Sequence, residues 1–183
     1  MTSLASRDRL IRSASSLFRR KGYAAVGVAE ILKASSLPKG SLYHHFPGGK
    51  EELAEAATRW AAAGVERLID AAFASADSFE AGALALCRII AEDLAERENV
   101  PACPVLSILQ AGDTEPALRE TAADLYGAWS ASIARHAKRL GVADPEQAAF
   151  SLHARLQGAW VIAYAQQSNE PFLMLAKELA AGR

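Results

Sequence analysis

Lys39, Ser41, Tyr43 and His44 fall within six consecutive residues, and the chemistry open to them is recognition, not bond-making. A lysine neutralises phosphate, and short hydroxyl, phenol and imidazole side chains hydrogen-bond to base edges. Gly40, between them, has no side chain and lets a backbone approach a surface closely. Catalytic patterns are missing: there is no G-x-S-x-G, no H-E-x-x-H, no glycine-rich phosphate loop and no C-x-x-C. The four histidines never pair at i, i+4, and His44 and His45 are adjacent, so they leave a helix in different directions. The reading is of a non-enzyme with no catalytic residues, no metal site and no cofactor.

Charge sharpens this. The net charge of -1 hides an asymmetry, because residues 1–50 hold nine Lys/Arg against two Asp/Glu while the remainder holds eleven against nineteen. A head of +7 on a body of -8 suits a head that meets a polyanion. The 183 residues, 51% apolar, are enough for one medium domain or a small head on a larger body. The uncharged stretch Leu156 to Asn169, which no other exceeds in length, is densely apolar only from Ala159 to Ala165, far short of the roughly 20 residues a bilayer requires. Met1 to Arg12 carries three arginines and no apolar run, so no signal peptide is expected. Two cysteines, Cys87 and Cys103, suit a reducing cytoplasm, which is the expected location.

The elements that position these residues read as helices throughout. Alanine, Leu, Glu and Arg dominate, and β-branched residues never alternate, which predicts an all-α fold of about nine helices. Leu10, Ile11, Ala14, Leu17 and Phe18 make the inner stripe of a helix over 6–21, stopped by Gly22. Short helices over 28–34 and 38–45 follow, with Leu42 and Phe46 one turn apart and facing inward. A long helix opens after Pro47-Gly48-Gly49, and others are predicted over 79–97, 104–110, 116–140, 145–167 and 171–181. Two short helices behind a bracing first helix form the helix-turn-helix arrangement, whose second short helix enters the major groove.

Gly22-Tyr23, Val28-Ala29-Glu30-Ile31-Leu32, Pro38-Lys39-Gly40-Ser41-Leu42-Tyr43-His44-His45-Phe46 and Lys50-Glu51-Glu52-Leu53 together resemble the N-terminal signature of TetR-type transcriptional regulators. Phe46-Pro47-Gly48-Gly49-Lys50, Cys103-Pro104-Val105 and Glu170-Pro171-Phe172 are similar to the LmrA/YxaF-like branch of that family. The resemblance implies a helix-turn-helix DNA-binding head over 1–49 and a ligand-binding and dimerisation body over 50–183. It also implies DNA contacts by Lys39, Gly40, Ser41, Tyr43, His44 and Lys50, with Lys50 gripping the backbone at a helix start. Tyr43 has a second reading as a half-buried prop for helix 1. Three positions depart from the family: Gly27 for a hydroxyl cap, Ser36 for a turn glycine, and Pro38 for a hydroxyl residue. Ser36 is therefore a candidate cap for helix 3.

The expected partners are double-stranded operator DNA, a second copy of the chain and a small apolar or aromatic effector, with no membrane. Trp60, Tyr126, Trp129, Phe150, Trp160 and Tyr164 are the candidate pocket, with core packing as the competing reading for each. Leu152, Leu156 and Ala159 on one helix and Phe172, Leu175 and Leu179 on the next form stripes expected to meet in a homodimer. The function that the resemblance implies is that of a repressor that binds a palindromic operator as a dimer and is released by the effector; two other functions stand beside it, a peripheral protein of anionic membranes using the arginine-rich first helix and a redox-sensing regulator using Cys103.

Overall fold

The computed structural model describes residues 3–182, and among them every regular element is an α-helix. The order is α1 (Ser3–Lys21), α2 (Val28–Ser35), α3 (Lys39–His45), α4 (Gly49–Phe73), α5 (Phe79–Ala95), α6 (Leu106–Leu109), α7 (Pro116–Arg139), α8 (Pro145–Gln166) and α9 (Glu170–Ala180). Their ends follow local chemistry. Gly22, at φ 77°, closes α1 with its N–H on Phe18 O at 2.8 Å. Ser78 Oγ accepts the Ala81 N–H at 3.1 Å and Asp144 Oδ1 the Gln147 N–H at 3.0 Å, capping α5 and α8. Proline fills the first turn of α8 and α9, where no amide partner is lost.

The helices gather into two compact units that do not follow the expected 1–49 and 50–183 division. The first takes residues up to Ala63 together with Pro104–Leu125; the second takes Gly64–Cys103 and Tyr126 onward. Burial gives the reason. Leu53, Ala54 and Ala57 of α4, Ile108 and Ala111 in and beside α6, and Leu118 of α7 share one apolar core with Leu10, Phe18, Ile31, Leu42 and Phe46. Helices α4 and α7 each contribute one part to either unit.

The second unit packs α5 against α9 and α8, with Phe172 fully buried and ring-to-ring with Trp160 at 5.8 Å. Phe73 at the end of α4 is fully buried and stacks on His136 at 5.1 Å. The connection between α8 and α9 is tied by side chains. The Gln167 amide accepts the Val100 N–H at 3.1 Å and donates to Val100 O at 3.2 Å, and Asn169 donates to Ala91 O at 3.0 Å.

Candidate nucleic-acid interface and ligand site

Helix α3 is short and anchored by two apolar residues. Leu42 and Phe46 are buried, which turns Lys39, Gly40, Tyr43 and His44 to the surface and leaves Ser41 and His45 half-buried. Tyr43 is 51% exposed, which favours the surface reading over the prop. A tight turn sets the angle of α3. Ser36 takes the left-handed conformation (φ 52°, ψ 44°), the Leu37 N–H reaches back to Leu32 O at 3.1 Å, and Arg9 donates to Ser35 O. Ser36 thus ends α2 and does not cap α3, whose N-cap is Pro38. Proline at that position gives α3 its start at Lys39, in extended backbone that any cap must have.

The other basic side chains of the first unit are partly engaged. The Arg7 guanidinium lies over Phe46 at 5.1 Å and that of Arg12 over Trp60 at 5.7 Å, and Lys21 pairs with Glu30. Lys50 sits with its ammonium 3.9 Å from the centre of the Tyr23 ring. Burial holds the Lys50 ammonium below its usual range, with Glu115 opposing that shift, and pushes the Tyr23 phenol up to about 12, helped by Glu115 and Glu51. Tyr23 in turn donates its N–H to Ser107 O at 3.2 Å. Lys50 is thus half-buried and braced against Tyr23, not extended alone from the start of α4.

The six pocket candidates separate in space. Trp129 and Trp160 line a cavity in the second unit, closed by Val65 and Ile69 of α4, Leu86 and Ile90 of α5, and His153 and Gln157 of α8. It measures about 20 Å³, room for roughly one water. Tyr126 and Phe150 instead border an open groove of about 330 Å³ between α7 and α8, together with Gly127, Ser130, His153 and Gln157. Trp60 belongs to the first unit, and Tyr164, on the outer side of α8, borders neither space. Helical spacing identifies a face but not what the face meets. Ser130 and Gly127 drew no attention in the sequence, although Ser130 lies one turn from Tyr126.

His153 and Gln157 border both spaces and carry a hydrogen-bonded chain. Tyr126 OH lies 3.4 Å from Gln157 Oε1, Gln157 Nε2 lies 3.3 Å from His153 Nε2, and His153 Nδ1 lies 2.7 Å from Ser130 Oγ. Burial alone lowers the His153 pKa, favouring the neutral ring. Tyr126 is also raised, by burial first and then by Cys103, to which it is hydrogen-bonded.

The residues of the expected dimer stripes already have neighbours within the single chain. Leu152, Leu156, Ala159, Phe172 and Leu175 are all buried within the chain itself, and Leu179 is half-buried. Helix α8 is apolar on both sides, and the second side, Phe150, Ala154, Gly158, Val161 and Ala165, is exposed along its whole length. On α9, Met174 is 56% exposed. Both cysteines are buried, and burial pushes the Cys87 thiol up to about 12. Among the described residues no helix is long and apolar enough to cross a membrane, and no cluster of three potential ligands could hold a metal.

Residues 10–57 match the bacterial regulatory proteins of the tetR family, and residues 81–178 match the C-terminal domain of LmrA/YxaF-like transcriptional regulators. The chain belongs to the TetR family. It is similar along its length to the transcriptional regulator YxaF of Bacillus subtilis, at 34% identity over 95% of this chain and 93% of the relative. Among solved structures it resembles a TetR transcriptional regulator of Chloroflexus aurantiacus (TM-score 0.82, 27% identity, 98% of this chain and 94% of that one). It also shares its fold with CifR, solved on a 26-base-pair operator duplex (TM-score 0.82, 23% identity, 94% of each chain). A TetR-family chain of this kind is a transcriptional regulator, and its relatives are not enzymes.

Proposed function

We propose that this TetR-family regulator is a repressor that binds a palindromic operator as a two-fold dimer and is released by a small apolar or aromatic effector. The observation that carries the DNA-binding half is the orientation of α3. Its apolar residues anchor inward, and Lys39, Gly40, Tyr43 and His44 are left together on the surface of the basic head. In a major groove, Lys39 and Ser41 read base edges or phosphates at the helix start, Gly40 permits close approach, and Tyr43 and His44 contact the backbone or a thymine methyl. Lys50, held on Tyr23, presents its charge to a phosphate beside the α4 start. The fold shared with CifR, which was solved on its operator, supports this arrangement.

A two-fold dimer rests on the exposed stripe of α8 with Met174, since a helix apolar on both sides needs a cover on both. Such a dimer sets two α3 helices about one turn of duplex apart, and the operator is then an inverted repeat read in the cytoplasm. Release requires an effector that binds two conformations unequally, by about 1–3 kcal/mol. Helices α4 and α7, each shared by both units, are the continuous segments able to carry that difference. The redox and membrane readings lack such support, because Cys103 is fully buried and Arg7, Arg9 and Arg12 engage Phe46, Ser35 O and Trp60.

The test is fluorescence anisotropy with the DNA that flanks the gene. Lys39→Ala and Tyr43→Ala are expected to weaken binding by about 1–3 kcal/mol, at least about fivefold, with unchanged melting temperatures. Wild-type affinity in both would remove α3 as the reader.

A further inference from the structure

Two ways of holding a cation occur in this chain. Lys21 and Arg97 are held by carboxylates, those of Glu30 and Asp93, which take up their N–H donors and offset their charge. Lys50 is held differently. Its ammonium lies 3.9 Å from the centre of the Tyr23 ring, and among the described residues it makes no ion pair and no hydrogen bond. Glu115, whose field reaches it, forms no ion pair with it. An aromatic face attracts a cation through its quadrupole and takes up none of its donors. The side chain is thereby held while its charge and its three N–H groups stay available, and half-burial leaves part of it open.

The ring is a fixed seat. Tyr23 is 8% exposed, packs on Phe18 with 5.5 Å between ring centres, and donates its N–H to Ser107 O of α6 at 3.2 Å. The seat also adjoins the outward side of α3. Gly49, immediately before Lys50, lies so near the Tyr43 ring that a β-carbon on it would stand 3.6 Å from Tyr43 Cε1. A flexible lysine loses its rotamer freedom when it meets a phosphate, whereas one already held on a ring has lost it on folding. We propose that Tyr23 is a positioning residue for operator binding, its ring holding the Lys50 ammonium ready for a duplex phosphate without neutralising it. The proposal rests on the reading of Lys50 as a phosphate contact; Tyr23, buried, acts through Lys50.

The experiment uses the full chain and fluorescence anisotropy with the DNA that flanks the gene, over a series of salt concentrations. Lys50→Gln is expected to weaken binding and to lower the slope of log affinity against log salt by about 0.9, the share of one phosphate. Tyr23→Leu, which removes the ring, is expected to weaken binding about three- to fivefold in the wild-type background and by less than about 1.5-fold in the Lys50→Gln background. The conservative Tyr23→Phe is expected to recover affinity to within about twofold of wild type. Because Tyr23→Leu also touches the core, a second series keeps the shape of the ring: phenylalanines with one, two and three ring fluorines at position 23, which withdraw charge from its face. Affinity is expected to fall stepwise with fluorination, and to stay level when the same series is placed on Lys50→Gln. Equal losses from Tyr23→Leu in both backgrounds, tighter binding by Tyr23→Leu, or a level fluorine series in the wild-type background would each overturn the seat while leaving Lys50 as a phosphate contact. Wild-type affinity and slope in Lys50→Gln would remove that contact, and the seat with it.

Discussion

Ser36 stands at φ 52° where glycine would be free of strain, and its side chain makes none of the contacts that set α3. A β-carbon in that conformation costs about 1–2 kcal/mol, and glycine gives back less than that through unfolded-state freedom. Ser36→Gly is expected to raise stability by about 0.5–1 kcal/mol, read as a later urea midpoint. Gln167 has nearly the same backbone, φ 50°, but its amide holds Val100 at both N–H and O and donates to Tyr164 O at 2.7 Å. Gln167→Gly is therefore expected to lose about 1–2 kcal/mol, since the hydrogen bonds outweigh the relief of strain. Identical dihedrals with opposite outcomes check the reading. His153 makes a prediction about pH. Its folded pKa is lowered by burial, so the unfolded chain binds the proton more readily, and stability falls as pH drops below about 6.5. His153→Gln should lose less stability than wild type between pH 7.5 and 5.5 in paired urea titrations; equal losses would refute the assignment. Residues of this kind were unevenly legible. The surface positions of Lys39, Tyr43 and His44 could be read because a seven-residue helix with Leu42 inward leaves few outward positions, whereas Lys50 on Tyr23 joins the start of α4 to the stretch after α1, which no local pattern ties together.

At the scale of elements, helix limits were readable because caps and breakers are local: Gly22, Ser78, Asp144-Pro145 and Pro171 each act within one turn. Which side of α8 faces inward was not readable. Both sides are apolar, and only the packing of α5 and α9 decides that Leu152, Leu156 and Phe172 are inside. Gly82 in α5 is a second case where a helix interior hides its reason. A β-carbon there would lie 2.2 Å from Phe73 Cδ1, and the ring cannot retreat because it is fully buried between His136 and Phe79. Alanine is the better helix former by about 1 kcal/mol, yet overpacking a fixed ring costs about 1–3 kcal/mol. Gly82→Ala should therefore lower the melting temperature by several degrees; an increase would mean that Phe73 has room to move.

At the scale of the whole molecule, the two stripes of α8 predict different failures. Leu156→Glu puts a carboxylate in the interior of the second unit and should reduce stability by several kcal/mol at any protein concentration. Val161→Glu, at a half-exposed site, should leave the chain folded but monomeric, with the operator affinity of a single head. Chromatography with light scattering separates these outcomes, and a folded, dimeric Val161→Glu would move the interface elsewhere. The two-unit division was hidden from sequence for a related reason. Ile108 and Leu118 look like any other apolar residues, and nothing local says that they complete the core under α1 to α3.

The amide bracket formed by Gln167 has a consequence on the timescale of proton exchange. Val100 lies outside any helix, in a stretch with Pro101 and Pro104 that cannot form its own ladder. Its N–H is nonetheless covered by a side chain from the end of α8, and Trp160 donates to Pro101 O at 3.1 Å beside it. In deuterium the Val100 amide should exchange with the slow class of helical sites, not with the loops. It is a probe, built into the chain, of whether the end of α8 stays closed.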